Sequence, residues 1–289
     1  MASTSGPRGE YASLLRAVAA HVELERSFGI ESWSLPAPPA ARVPATRAVP
    51  RSAAPRPAPL PPAAPKETPA MPEPPRRVAT PEEAALFDAR RLDIQIPDGL
   101  SKQEQLDYLK QAMQPCALCQ LRKGATQIVF GVGNAEAELM FVGEAPGHDE
   151  DVQGIPFVGK AGQLLTKIIE AMGMSRAEVY IANICKCRPP ENRAPSPEEM
   201  DACRPYLLKQ IEIIKPKIIC LLGATAVRGL LQSKDSISKI RGHFLLWRGT
   251  RVMPTFHPAY LLRNPAEKRS VWEDVQKIRD TLRKDKSDG

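Results

Sequence analysis

No stretch of about 18 to 20 apolar residues runs through this chain, which excludes a membrane-spanning helix. A secretory signal is lacking as well, because residues 1–20 carry Glu10 and Arg16 where such a signal needs an unbroken apolar core. The expectation is a cytoplasmic protein with no membrane association. In that reducing compartment its six cysteines serve as metal ligands or buried hydrophobes rather than as disulfides. Aromatic residues are scarce, at 5% of 289 residues, whereas prolines number 30. Part of such a chain builds no core.

That part is readily located. Between Leu35 and Pro81 stand 16 prolines among Ala and Arg, as in "APLPPAAPKETPAMPEPPRR", a composition that favours extended polyproline conformers. Residues 35–92 are therefore expected to be a disordered linker. Ahead of them, in residues 1–34, Leu14, Leu15, Val18, Ala19, Val22 and Leu24 recur at the spacing of one amphipathic helix. Alone it cannot bury its apolar face. It is either a docking element for a protein partner or a helix frayed for want of one. The formal charge is +7, and residues 1–100 hold 12 of the 40 Lys and Arg and 11 of the 33 Asp and Glu. The remaining surplus of basic residues suits a polyanionic partner such as nucleic acid.

From about residue 93 onward the pattern changes. Short apolar runs at 137–143, 178–184, 217–223 and 250–256 read as buried strands. Helical patterns follow them at 162–172, 197–214, 224–231 and 268–283. Alternation of this kind predicts an α/β domain over 93–289, with a parallel sheet covered on both faces and a ligand crevice at the carboxyl ends of its strands. Ser196, Pro197 and Glu199 form a capping box with proline at the first helical position, so Cys203 falls in that helix's second turn.

Four cysteines have ligand-like spacing: Cys116 and Cys119 in "CALC", and Cys187 with Cys203. Four thiolates suit zinc or an iron-sulfur centre, and spacing alone leaves the two metals level. Cys220, inside "IICLLG", reads as a small buried hydrophobe. A strand continuing through Cys185 and Cys187 would put both on the face of Asn183. The prolines that follow stop it, so Cys187 is expected to be the ligand and Cys185 a filler at the strand end.

"FVGEAPGHDEDVQGIPFVGKAGQLL" leaves the first strand through a glycine-rich loop. It lacks the Lys-Ser/Thr of a phosphate loop, and Asp149, Glu150 and Asp151 disfavour a nucleotide phosphate there. Four segments, "GEAPG", "GIPFVGKAGQLL", "NICKCRPPENR" and "FHPAYLLRNP", each fall at the carboxyl end of an expected strand. Taken in that order with the four cysteines, they resemble the family 4, iron-sulfur-containing uracil-DNA glycosylases over residues 106–283.

The resemblance implies a three-layer α/β/α sandwich with a short parallel central sheet, preceded by the disordered proline-rich extension. It implies a monomeric hydrolase that cleaves the N-glycosidic bond of uracil in single- or double-stranded DNA, leaving an abasic site for base-excision repair. It also decides for a [4Fe-4S] cluster, held by Cys116, Cys119, Cys187 and Cys203. Phe157 matches the aromatic that stacks on the flipped base, Asn183 the amide that pairs with uracil O4 and N3–H, and His257 the donor to uracil O2. Ala145, with Glu144, belongs to the pocket-lining loop, and Glu150 stands where the family has an acidic residue near uracil C5. Either carboxylate is a candidate to orient water. Leu261 or Leu262 matches the wedge that fills the space of the flipped base, and Arg188, Arg193 and Arg263 are expected phosphate contacts.

A branch that traps DNA covalently carries a histidine between the asparagine and the last cluster cysteine, and "GEQPG" in place of "GEAPG". No histidine lies between Asn183 and Cys203. Family 5 enzymes replace the polar crevice residues by apolar ones, whereas Glu144 and Asn183 are polar here. A noncatalytic DNA-binding or scaffold protein on the same fold is the rival expectation.

Overall fold

The computed structural model describes residues 94–287. The helix expected over 1–34 and the linker over 35–92 lie outside the described residues.

The chain opens with α1 (Lys102–Met113), started by a Ser101–Glu104 capping box, and the short α2 (Leu121–Gly124). An edge strand β1 (Val132–Gly133) precedes β2 (Leu139–Gly143), α3 (His148–Gln153) and α4 (Lys160–Ala171). Next come β3 (Tyr180–Asn183), α5 (Pro197–Ile214), β4 (Ile218–Leu222) and α6 (Ala224–Leu231). The chain closes through α7 (Ile237–Ile240), β5 (Leu245–Trp247), β6 (Thr250–Thr255), α8 (Pro258–Arg263) and α9 (Lys268–Ser287).

The strands form one six-stranded sheet in the order β1-β3-β2-β4-β6-β5. Its four central strands are parallel, as expected, while β1 and β5 pair antiparallel at the two edges. The sheet is thus mixed rather than purely parallel. β1 has two residues and β5 three, too few to show the apolar alternation by which strands are read.

Two cores flank the sheet, because successive side chains of a strand point to opposite faces. Met140 and Val142 join α1, α5 and α6 on one face. Leu139 and Phe141 join α4 and α9 on the other. Each large aliphatic side chain so buried contributes about 1.5–3 kcal/mol. Cys220 is fully buried in the second core. No helix among the described residues is long and apolar enough to cross a membrane.

Candidate active site

The crevice lies where β2, β3 and β6 end. β2 and β3 stay zipped beyond their last residues, since Ile184 N–H donates to Gly143 O and Cys185 N–H to Glu144 O, each across 3.0 Å. This ladder brings the "GEAPG" and "NICKC" segments side by side.

Asn183, the last residue of β3, is 2% exposed. Its Oδ1 is buried without a hydrogen-bond partner, the one such side-chain atom among the described residues. An unpaired buried acceptor costs about 1–3 kcal/mol unless a ligand supplies the donor. Gly143, opposite it on β2, makes room: a Cβ there would come within 2.5 Å of Asn183 Oδ1 and 2.4 Å of Phe157 Cζ.

Phe157 is 6% exposed and adopts φ +56°, a conformation that costs a bulky residue about 1–3 kcal/mol and persists only when its surroundings enforce it. Two neighbours do so. Gly162 lies so close that a Cβ would meet the Phe157 carbonyl at 2.0 Å. The Glu150 carboxylate accepts from Val158 and Gly159 N–H through Oε1, each at 2.9 Å, and from Gly147 N–H through Oε2 at 3.1 Å. Glu150 is therefore bound into the loop instead of standing free toward a base. The Glu144 carboxylate is half-buried, with no hydrogen-bond partner among the described residues.

His257 closes the third side, its ring centroid 5.6 Å from that of Phe157. It caps α8, where its Nδ1 accepts from Ala259 N–H at 3.1 Å. The ring's single proton is left on Nε2. Lost hydration, reinforced by the Arg263 charge, pushes its pKa down to about 4, so the ring is neutral at physiological pH.

Beside the crevice, Leu261 is fully buried whereas Leu262 is 48% exposed. The segment that carries both leucines is helical as α8, and its turn sends one leucine inward and the next outward. Leu261 is thereby removed as a wedge. Arg188 donates to Asn192 Oδ1 and, through Nη1, to His148 Nδ1 at 3.1 Å, bridging the two crevice loops. Arg193 departs from the expectation of a free phosphate contact: both its terminal nitrogens engage Glu199, at 2.8 and 2.7 Å. Arg263 is exposed.

Cys116, Cys119, Cys187 and Cys203 come together on the side of the sheet that carries α5, within one apolar cluster. Burial and the neighbouring thiols push Cys187 up to about 12. Cys119 is raised by burial and by Cys203 and Cys116. Cys203 is lowered, first by a hydrogen bond from Cys185. β3 ends at Asn183, and Cys185 just beyond it is fully buried in the same apolar cluster. Soft thiol donors crowded in this way fit an iron-sulfur group chemically. Among the described residues, no three of His, Cys, Asp and Glu converge tightly enough to hold a single metal ion.

A family model described as Uracil DNA glycosylase superfamily matches residues 130–276. The Type-4 uracil-DNA glycosylase of Thermotoga maritima is 45% identical over 189 residues, covering 64% of this chain and 98% of the relative. That of Saccharolobus solfataricus is 44% identical over 188 residues, covering 62% and 87%. That of Archaeoglobus fulgidus is 42% identical over 183 residues, covering 61% and 92%. All three alignments leave roughly the length of the proline-rich extension unmatched.

Proposed function

The chain belongs to the uracil DNA glycosylase superfamily, and from that membership we propose that Asn183, Phe157 and His257 receive a uracil flipped out of DNA. The protein is a uracil-DNA glycosylase, a hydrolase acting on uracil in DNA. The observation that carries the site reading is the unpartnered, buried Asn183 Oδ1. Uracil N3–H supplies the missing donor, while the amide Nδ2 donates to O4. Cytosine presents the opposite pattern at both atoms. Phe157 stacks on the base.

In the reaction the bond between sugar C1′ and uracil N1 breaks, and its electron pair leaves with the base. The sugar gains oxocarbenium character, and a water oxygen bonds to C1′ and releases a proton. Negative charge gathers on uracil O2, where His257 Nε2–H is a fixed donor, a contribution worth about 2.7–4 kcal/mol at comparable sites. Glu144 is assigned to orient the water, because its carboxylate is not taken up by other groups. Glu150 is a positioning residue that holds the Phe157 loop. Leu262 fills the space left by the flipped base, and Arg188 and Arg263 contact phosphates.

Cys116, Cys119, Cys187 and Cys203 would hold a [4Fe-4S] cluster, which supplies a cross-link between the loops and no electrons, since hydrolysis requires none. Purified protein is then brown. Cys185→Ala keeps the colour and Cys187→Ala loses it. A colourless, zinc-loaded, active protein would overturn the cluster.

The deciding assay incubates the full chain with a uracil-containing oligonucleotide and then treats it with alkali. Strand scission by the wild type, lost in Asn183→Ala and His257→Ala, supports the assignments. No scission by the wild type at any salt concentration overturns them in favour of a noncatalytic DNA-binding protein.

A further inference from the structure

Lys186 is fully buried, a rare setting for an ammonium group. No carboxylate pairs with it among the described residues. Its Nζ donates instead to the carbonyl oxygen of Asn183 at 2.9 Å and to Gln210 Oε1 at 2.6 Å, and it stands 6.0 Å from the centre of the Phe130 ring. Gln210, on α5, is itself fully buried and is held by donating to Phe130 O and Tyr180 OH. Burying an ammonium group without a carboxylate partner is costly relative to an apolar side chain. The backbone N–H of Lys186 donates to Cys203 Sγ at 3.2 Å, and its carbonyl accepts from Val129 N–H at 2.8 Å. One residue thus ties the base-reading asparagine, the thiol-bearing helix α5 and the segment that follows α2 into a single turn.

We propose that Lys186 is a positioning residue that couples base recognition by Asn183 to the cysteine loop, so that an occupied base pocket and an intact cluster support one another. The proposal rests on the [4Fe-4S] reading above. Its physical basis is local. Residues 183–187 include no regular structure beyond Asn183, and their turn is braced from side chains by the Lys186 ammonium and by Cys203 Sγ, of which only the ammonium reaches the Asn183 peptide. Removing the ammonium frees the Asn183 peptide and the loop carrying Cys187 together.

The test follows the visible absorbance of the full-length protein after an iron chelator is added, with and without saturating free uracil. In the wild type, uracil is expected to slow the decay by about fivefold or more, the low end of coupling between two sites. In Lys186→Met, which keeps an unbranched apolar stem but not the ammonium donors, the slowing is expected to vanish. The inhibition constant for free uracil rises about tenfold or more, as for loss of a hydrogen bond from a charged donor. Both are read well below the melting temperature, where a purely structural role would leave them unchanged. Gln210→Leu removes the side-chain acceptor of Nζ from outside the loop and is expected to act in the same direction, so it decides the matter if Lys186→Met does not fold. A wild type without visible absorbance overturns the cluster reading on which the proposal rests. A coloured wild type that uracil does not protect, or full protection in both soluble variants, overturns the coupling itself.

Discussion

Ala259 donates its backbone N–H to Nδ1 of His257 across 3.1 Å, and this single contact decides which face of the imidazole can serve a substrate. With Nδ1 occupied as an acceptor, the proton resides on Nε2, the nitrogen left to donate. Protonating Nδ1 would set two N–H groups against each other at the start of α8. The folded pKa of about 4 lies below the ordinary value near 6.5, so between these values the unfolded chain binds more protons than the folded one. Stability therefore falls as pH is lowered through that window. The rate on uracil DNA is expected to hold from neutrality to about pH 5 and to drop as pH approaches about 4. His257→Gln, a donor that does not titrate, is expected to be slower and to lose the acid limb assigned to this ring. A pH–rate profile of both proteins checks this.

Leu261 and Leu262 are neighbours with opposite surroundings, and their alanine variants are expected to separate stability from DNA distortion. Leu261→Ala removes a fully buried side chain and is expected to cost about 2–5 kcal/mol of stability. Leu262→Ala removes a largely exposed one and is expected to leave stability within about 0.5 kcal/mol. Its defect should appear on duplex uracil DNA, where unstacking of a few kcal/mol has to be offset, and much less on single strands. Thermal melting together with rates on the two substrates distinguishes them.

The three arginines differ in how far they are already committed. Arg188→Ala and Arg263→Ala are each expected to weaken binding to any DNA sequence and to reduce the salt slope of binding by about 1. Arg193 is engaged by Glu199 through two hydrogen bonds, so Arg193→Ala is expected to leave that slope unchanged and to loosen the start of α5. Binding to a catalytically dead variant, measured across a salt series, reads all three.

What could be read in the sequence was whatever writes itself in local pattern. The capping box at Ser196 and the apolar runs of the four central strands carry their own start and stop signals, and α5 and α6 have the boundaries expected of them. Asn183, Phe157 and His257 were legible as a set through the ordered motifs. Edge strands β1 and β5 were not, being too short for a period. The tie between Arg193 and Glu199, the fixing of Glu150 by three backbone donors and the burial of Lys186 were also out of reach. Each depends on a tertiary neighbour or a backbone donor that local spacing does not reveal. Lys186 sits inside a motif whose cysteines and arginines draw attention first, and a lysine flanked by cysteines reads as solvated until the fold encloses it.

Gly143 shows how the absence of a side chain can shape a site. It ends β2 directly beside Asn183 of β3, the two residues being in register, and a Cβ at this position would collide with Phe157 Cζ at 2.4 Å and Asn183 Oδ1 at 2.5 Å. No positive φ is involved, so Gly143→Ala brings no backbone strain, and the added methyl acts through crowding alone. Overpacking of this kind costs about 1–3 kcal/mol. The Phe157 loop has little freedom to yield, being clamped by Glu150 and by the close approach of Gly162. Relief must come from displacing the Phe157 ring or the Asn183 amide, the two groups proposed to embrace the base. Gly143→Ala is accordingly expected to fold, to keep its visible absorbance and to lose about tenfold or more in kcat/KM on uracil DNA. Pairing it with Phe157→Leu, which shortens the obstructing side chain, should give a loss smaller than the two single losses combined, because the methyl then has space. Steady-state rates for the two single variants and the double variant measure this directly, and strict additivity would show that the methyl does not act through Phe157.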